Sequence, residues 1–414
     1  MKVLHVTHSD NIWGGGAAIA AHRLYRAERE LGTDSYMLVN SKNQPENEIL
    51  TNFNSLTRFS SRLKESVSKR ITKLLAPDPY LPYSVNLFSS HHVQFINSSN
   101  FDLVHLHWIN YNMLSMKDIS RIQKPIVWTF HDMWPICGIE HCCFHDRWKE
   151  GYRPDNRPGN ETGFDLSLWQ WNQKRKQLKK TFKITCPSSW LSNCVKQSAL
   201  MKDWPVQTIP NGLDTTFWNP ADKTHIRGTL GLLKDKQIIL YGANQSTQDH
   251  IKGFDLLKEA LSLLPKEKMD DVELLVFGAA SGGSLENERY PINYLGYIGD
   301  PSHLRNLYRS ADVMLVPSRM ESFGQTASEA HACGIPVVAF DATGTADIVD
   351  HRKTGYLARA FDVNDFCAGI LWVLENDKRR KQLGLEARRK AENCFDHLLV
   401  AKEHIKTYEK VLNF

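Results

Sequence analysis

The sequence has no apolar run approaching the roughly 18 residues that a membrane-crossing helix needs. It opens on Met1-Lys-Val-Leu-His-Val-Thr7, which reads as a buried strand and not as a signal peptide. Both absences point to a cytoplasmic protein. Cysteine is scarce, and eight residues scattered through 414 fit reduced core thiols better than a disulfide framework. Only Cys137-Gly-Ile-Glu-His-Cys-Cys-Phe-His145 is dense enough in thiols and imidazoles to suggest zinc. No second C-x-x-C or H-x3-H cluster follows it, and adjacent Cys142 and Cys143 make an awkward ligand pair for one ion, so no metal is expected there. The glycines after the first strand are consecutive and lack the G-x-G-x-x-G spacing, which removes the dinucleotide fingerprint.

What is present is ordinary globular composition, 42% apolar and 23% charged. At about 100 to 200 residues per domain the length suggests two or three domains. The net charge of +5 is unevenly divided: residues 1–205 carry 26 Lys and Arg against 18 Asp and Glu, and residues 206–414 carry 25 against 28. A basic half can face nucleic acid, a membrane surface or an anionic substrate, and charge alone does not choose among them.

The stretch richest in chemistry is Glu321-Ser-Phe-Gly-Gln-Thr-Ala-Ser-Glu329, set between the strand-like runs Val313-Met-Leu-Val-Pro317 and Pro336-Val-Val-Ala-Phe340. Strand, glycine loop, short helix and strand make a βαβ unit, whose helix N-terminus offers N–H groups and a positive dipole to an anion. Gly324, Gln325 and Thr326 therefore read as a phosphate cradle. Eight helical residues would hold the two carboxylates about 12 Å apart, too far for a glycosidase pair. They suit an elongated ligand with hydroxyls at both ends, such as a nucleotide-sugar. The blander reading makes Glu321 a solvated loop residue and Glu329 a helix-surface charge.

The remaining chain alternates in the same way. Val3-Leu-His-Val-Thr7, the glycine turn containing Gly15 and Gly16, and an amphipathic run to about Leu31 repeat the strand, glycine loop and helix. Phe101-Asp-Leu-Val-His-Leu-His107 and Ile126-Val-Trp-Thr-Phe130 read as parallel strands, the second delivering His131 to a strand end, where α/β enzymes place functional residues. After turn residues near Pro210-Asn-Gly212 the alternation restarts with Gln237-Ile-Ile-Leu-Tyr-Gly242. Residues 54–75 form a basic amphipathic helix, with Leu56, Phe59, Leu63, Val67, Ile71 and Leu74 interleaved with six Lys and Arg. It can lie on an anionic membrane, or it can turn its apolar face into a domain core. The basic run at residues 174–183 lacks any RNA-binding signature and reads as a helix leading into a strand.

Taken in order, Gly15-Gly16, Pro187-Ser-Ser-Trp190, Ile209-Pro-Asn-Gly-Leu-Asp214, Lys252-Gly253, Ala311-Asp-Val-Met-Leu-Val-Pro-Ser318 and the Glu-x7-Glu of residues 321–329 resemble the family-4 retaining glycosyltransferases of GT-B type. The motifs run in register over nearly the whole chain, and His131-Asp-Met-Trp-Pro135 is similar to a subgroup that builds bacterial surface polysaccharides. The resemblance implies an α/β GT-B fold of two Rossmann-like, doubly wound domains facing a central cleft. Residues 1–205 would form the acceptor side and 206–390 the nucleotide-sugar domain, with 391–414 a helix packing back toward the N-terminal domain.

The resemblance also implies roles. Glu321, His131 and Lys252 would be catalytic: Glu321 and His131 on donor-sugar hydroxyls, Lys252 neutralising the diphosphate as it leaves. Donor contacts would come from Gly15, Gly16, Asn244, His250, Ile298, Phe323, Gly324, Gln325, Thr326 and Glu329, the last accepting from the ribose. The Arg that usually accompanies the diphosphate-binding Lys is missing before Lys252, where His250 stands as a partial substitute. No D-x-D occurs, so neither metal nor cofactor is expected. The implied reaction moves a hexose from a UDP-sugar, or next a GDP-sugar, to a saccharide or lipid-linked saccharide acceptor. Residues 54–75 would touch the inner face of the membrane, and nucleic acid is not an expected partner. The rivals are a nucleotide-sugar epimerase of the same fold and a non-catalytic binding protein.

Overall fold

The computed structural model describes residues 1–10, 15–76, 78, 81–232, 235–242, 247–280 and 292–413. The chain divides into two compact units, Met1–Gly212 with Val400–Phe414, and Leu213–Leu399.

The first unit is built on strands β1 (Lys2–Ser9), β2 (Asp34–Ser41), β3 (Ile49–Leu50), β4 (Leu103–Leu106), β5 (Ile126–Thr129), β6 (Lys183–Cys186) and β7 (Val206–Thr208). They lie in the order β3-β2-β1-β4-β5-β6-β7, all neighbours parallel. All four residues of β4 and of β5 are buried, as expected of parallel strands covered on both faces. The order reverses between β1 and β4, the switch point at whose carboxyl edge doubly wound sheets bind ligands. Val3, Leu103 and Val127 pack against Tyr408 of the last helix, His397–Leu412.

The second unit repeats the plan with β8 (Gln237–Gly242), β9 (Val272–Phe277), β10 (Ile292–Tyr294), β11 (Val313–Val316), β12 (Val337–Phe340) and β13 (Gly355–Ala358), in the order β10-β9-β8-β11-β12-β13. Alternate residues of β8 enter different cores, Ile239 and Tyr241 on one face and Ile238 and Leu240 on the other. That is the period of two of a strand buried on both sides. Asp312, just before β11, is a buried anchor. It accepts from Lys223 at 2.7 Å, from Arg227 at 2.6 Å and from the Ile238 amide at 2.8 Å.

The helix Ser55–Leu75 turns only the C-terminal end of its apolar stripe onto a core, where Ile71 and Leu75 pack against Val85, Ile139 and Leu166; Leu56, Phe59 and Leu63 are 81%, 71% and 56% exposed. Residues 321–329 are not one helix, because helix begins only at Gln325. The 12 Å separation derived from a continuous helix therefore does not apply. No described helix is long and apolar enough to cross a membrane.

Candidate active site

In the second unit the site grows at the β8–β11 switch point. The short 3-10 turn His250–Lys252 is capped by Asp249, which accepts from the Ile251 amide at 2.9 Å. Gly253 follows with φ +68, and a Cβ there would stand 2.1 Å from the Pro317 carbonyl oxygen beyond the end of β11. Only a glycine allows that approach. Lys252 Nζ in consequence donates to Glu321 Oε1 at 2.8 Å, and Ser318 Oγ donates to the same oxygen at 3.0 Å.

The Glu321 backbone is held as firmly as its side chain. Its N–H donates to Thr343 Oγ1 at 3.1 Å, and its carbonyl accepts from the Gly344 amide at 2.7 Å. Thr343 sits at φ 53, a left-handed conformation that a β-branched residue adopts only when its surroundings impose it. The helix Gln325–Ala332 starts at Gly324, whose φ is 100 and which supplies no side-chain cap. A Cβ at Gly324 would meet Thr345 Cγ2 at 2.8 Å. An uncapped helix N-terminus next to a lysine is an environment that attracts an anion.

The other expected residues of this unit are dispersed in role. Gln325 and Thr326 occupy the first turn of that helix and are half-buried, whereas the Phe323 side chain belongs to the core and meets Phe395 edge-on. Glu329 is 5% exposed and accepts from Tyr308 Oη at 3.0 Å. Ile298 packs half-buried on the core. His250 is exposed, and its carbonyl accepts from Arg319, whose guanidinium is turned to Asp255. Asn244 lies outside the described residues.

In the first unit Gly15 caps the helix Gly16–Glu30 at φ 105, and a Cβ on Gly15 would meet nothing within 4 Å. His131 follows β5 and is half-buried. Burial, opposed by neighbouring Asp132, pushes its imidazole down to about 4, so it is neutral at pH 7. Asp132 accepts from His141 Nδ1 at 2.6 Å, from Trp108 Nε1 at 3.0 Å and from the Trp134 amide at 2.9 Å. The following loop is pinned by fully buried Lys174, which donates to the carbonyls of Trp134, Cys137 and Gly138.

Sequence reasoning missed Ser318, Thr343 and Lys174. Ser318 stood inside a recognised motif without a role. Lys174 stood at the head of a basic run, where nothing separates a buried lysine from its solvated neighbours.

Two family models match the chain: Glycosyltransferase Family 4 over residues 14–217 and Glycosyl transferases group 1 over residues 222–390. A D-inositol 3-phosphate glycosyltransferase of Geodermatophilus obscurus is 34% identical over 212 residues, covering 47% of this chain and 46% of that protein. The enzyme of the same name from Rhodococcus opacus is 30% identical over 200 residues, covering 45% and 44%. The matches thus span less than half the length of these curated relatives. Among solved structures, sucrose-phosphate synthase of Thermosynechococcus elongatus superposes with a TM-score of 0.70 at 17% identity over 100% of both chains. Anabaena HepE in complex with UDP-glucose gives 0.66 at 17% identity, covering 99% of this chain and 100% of that one. WaaG, a glycosyltransferase of lipopolysaccharide biosynthesis, gives 0.63 at 13%, covering 97% and 98%. At such identities the likeness is one of fold. With two doubly wound units whose strands run 3-2-1-4-5-6, a seventh strand extending the first, and family models that between them account for nearly the whole chain, the protein belongs to the family-4 glycosyltransferases of GT-B type.

Proposed function

We propose that the chain is a retaining glycosyltransferase that moves a hexose from a nucleotide-diphosphate sugar, UDP first and GDP second, to a saccharide acceptor. The observation that carries this reading is the Lys252–Glu321 contact of 2.8 Å beside the uncapped start of the helix Gln325–Ala332. A lysine ammonium has three donors, so it can bridge Glu321 and a phosphate oxygen at once. Charge that grows on the departing diphosphate then meets a cation, the helix dipole and glycine-loop amides without a metal. Glu321 receives sugar hydroxyls. Glu329, whose carboxylate accepts from Tyr308, takes the ribose hydroxyls in this reading. The departing phosphate helps deprotonate the acceptor hydroxyl on the same face, which preserves the anomeric configuration.

The UDP-glucose complex of HepE and the lipopolysaccharide role of WaaG favour a UDP-sugar donor and a surface-polysaccharide product. A thermal-shift panel of UDP, GDP and their sugars tests the donor, since a ligand at 100 times its Kd stabilises by about 2.7 kcal/mol. Stabilisation by none of them, or near-normal turnover in both Lys252→Ala and Glu321→Ala, would sink the site. Analysis of the product sugar separates transfer from epimerisation.

A lipid-linked acceptor is favoured by the exposed stripe Leu56, Phe59 and Leu63, flanked by exposed Arg58 and Arg62. Flotation with vesicles of phosphatidylglycerol and phosphatidylethanolamine should retain the protein and lose the triple serine variant of the stripe. Equal flotation of both would remove the membrane contact.

A further inference from the structure

Residues 137–145 carry three thiols and two imidazoles that the transfer reaction leaves unused. Within the first unit the segment folds back so that its chemistry converges. Cys143 Sγ lies 3.3 Å from His145 Nδ1 and 3.6 Å from its Nε2, and Glu140 Oε1 lies 3.8 Å from the same Nε2. A carboxylate beside an imidazole beside a sulfur is the arrangement that holds a thiolate. Glu140 is itself fixed, being buried and accepting from Tyr152 Oη at 3.0 Å. Cys143 is 6% exposed and Cys137 fully buried, whereas the His145 side chain is 29% exposed. The sulfur therefore sits just beneath the surface, within reach of a small reagent.

Protonation follows from these contacts. Burial pushes the Cys143 thiol up, but hydrogen bonds from Cys137 and His145 and the His145 charge outweigh it and bring the thiol down to about 6. Two neighbours oppose that ionisation: the Glu140 charge, and the His145 carbonyl oxygen 3.4 Å from the sulfur, which accepts from a neutral thiol. Burial lowers His145, yet its hydrogen bond to Cys143 and the charges of Cys143 and Glu140 raise it on balance. Cys137, buried and donating to Cys143, is pushed up and keeps its proton. The other titratable groups around the pair are Tyr152, Cys194, Arg147 and Lys174. At pH 7 the segment holds a thiolate against an imidazolium, with a neutral thiol touching the thiolate.

We propose that Cys143 and Cys137 form a peroxide-sensitive modification site, with Cys143 as the attacking sulfur, His145 as its proton donor and Cys137 as the resolving thiol. The Cys143 thiolate attacks one oxygen of hydrogen peroxide and the O–O bond breaks. The departing hydroxide takes a proton from His145 and leaves as water, and the sulfur is oxidised to a sulfenic acid. The Cys137 sulfur then attacks the Cys143 sulfur, an S–S bond forms as the S–O bond breaks, and the Cys137 proton leaves with the hydroxide as a second water. Two sulfurs are oxidised to one disulfide while one peroxide is reduced to two waters. The new bond closes a ring that contains His141, whose nitrogens contact Asp132 at 2.6 Å and Ser84 at 2.8 Å, so oxidation acts on the loop that follows β5.

The test treats the reduced full chain with equimolar hydrogen peroxide over about pH 5 to 9 and follows each cysteine by fragment-ion mass spectrometry. The expected product has lost two hydrogens, placed at Cys137 and Cys143, and its rate rises with pH through a midpoint below 7, against about 8.5 for an ordinary thiol. A midpoint at or above 7 overturns the proposal, and so does faster oxidation at half-buried Cys142 or exposed Cys394, which serve as internal comparisons. Neither result needs a variant to fold. In Cys137→Ser the reaction should stop at a sulfenic acid on Cys143, trapped by dimedone; a Cys142–Cys143 disulfide there would take the resolving role from Cys137. In His145→Gln the midpoint should rise by at least one pH unit, and an unchanged midpoint would remove His145 from the site. No sugar is present, so the outcome is independent of the transferase reading.

Discussion

Replacing Lys252 with methionine separates chemistry from folding. The Lys252–Glu321 pair is 23% and 17% exposed on its two sides, so solvent screens it in part. Such pairs contribute on the order of 0 to 1 kcal/mol to stability. For a unit of this size that is a Tm change of about 2 to 4 °C at most. Methionine preserves the buried length of the side chain, and the backbone is held independently, with the Lys252 carbonyl accepting from Tyr241 Oη at 3.3 Å. The catalytic effect should be much larger. Removing one preorganised donor from a site where charge develops costs about 2.7 to 4 kcal/mol, a factor of about 100 to 1,000 in turnover. The assay is release of nucleoside diphosphate from the donor sugar, run beside a melting curve on the same preparation. Turnover within threefold of the unaltered protein, with Tm unchanged, would refute the assignment of Lys252 to the leaving group. A large loss of Tm would refute the claim that the pair is mainly functional.

Gly253→Ala should abolish transfer and lower stability by more than 1 kcal/mol, because its Cβ would overlap the Pro317 carbonyl oxygen at 2.1 Å; normal turnover would show that the loop can move aside. Lys174→Met strands three buried carbonyls at Trp134, Cys137 and Gly138, and denaturant unfolding should register a loss of about 3 kcal/mol or more. Burial pushes His92 and His331 down to about 3, while the unfolded chain titrates near 6.5. The unfolded state therefore binds more protons between those values, and this stability is present above pH 6.5 and lost as pH falls toward 3. At pH 5.5 each histidine should cost about 1.4 kcal/mol relative to pH 8, and His331→Gln should flatten the dependence of Tm on pH by that share.

Much of this protein was legible because its signals are local. Apolar runs of four to six residues bounded by turn residues located β8, β11 and β12 to within a residue. Motif order was sufficient to identify a family-4 transferase before any coordinate was known. What the sequence could not determine depends on strand order. Lys252 and Glu321 are 69 positions apart and meet because β8 and β11 are neighbours across the switch point and Gly253 lets the chain close on Pro317. The side-chain periodicity of residues 55–75 is the same whether a core or solvent lies beside it, and only packing showed that Leu56, Phe59 and Leu63 face outward. Nothing in the sequence pairs the histidines of β1 and β4. Tertiary structure brought them together, because parallel register places His5 beside His105 and a helix carries Glu28 to 2.8 Å from the His5 ring.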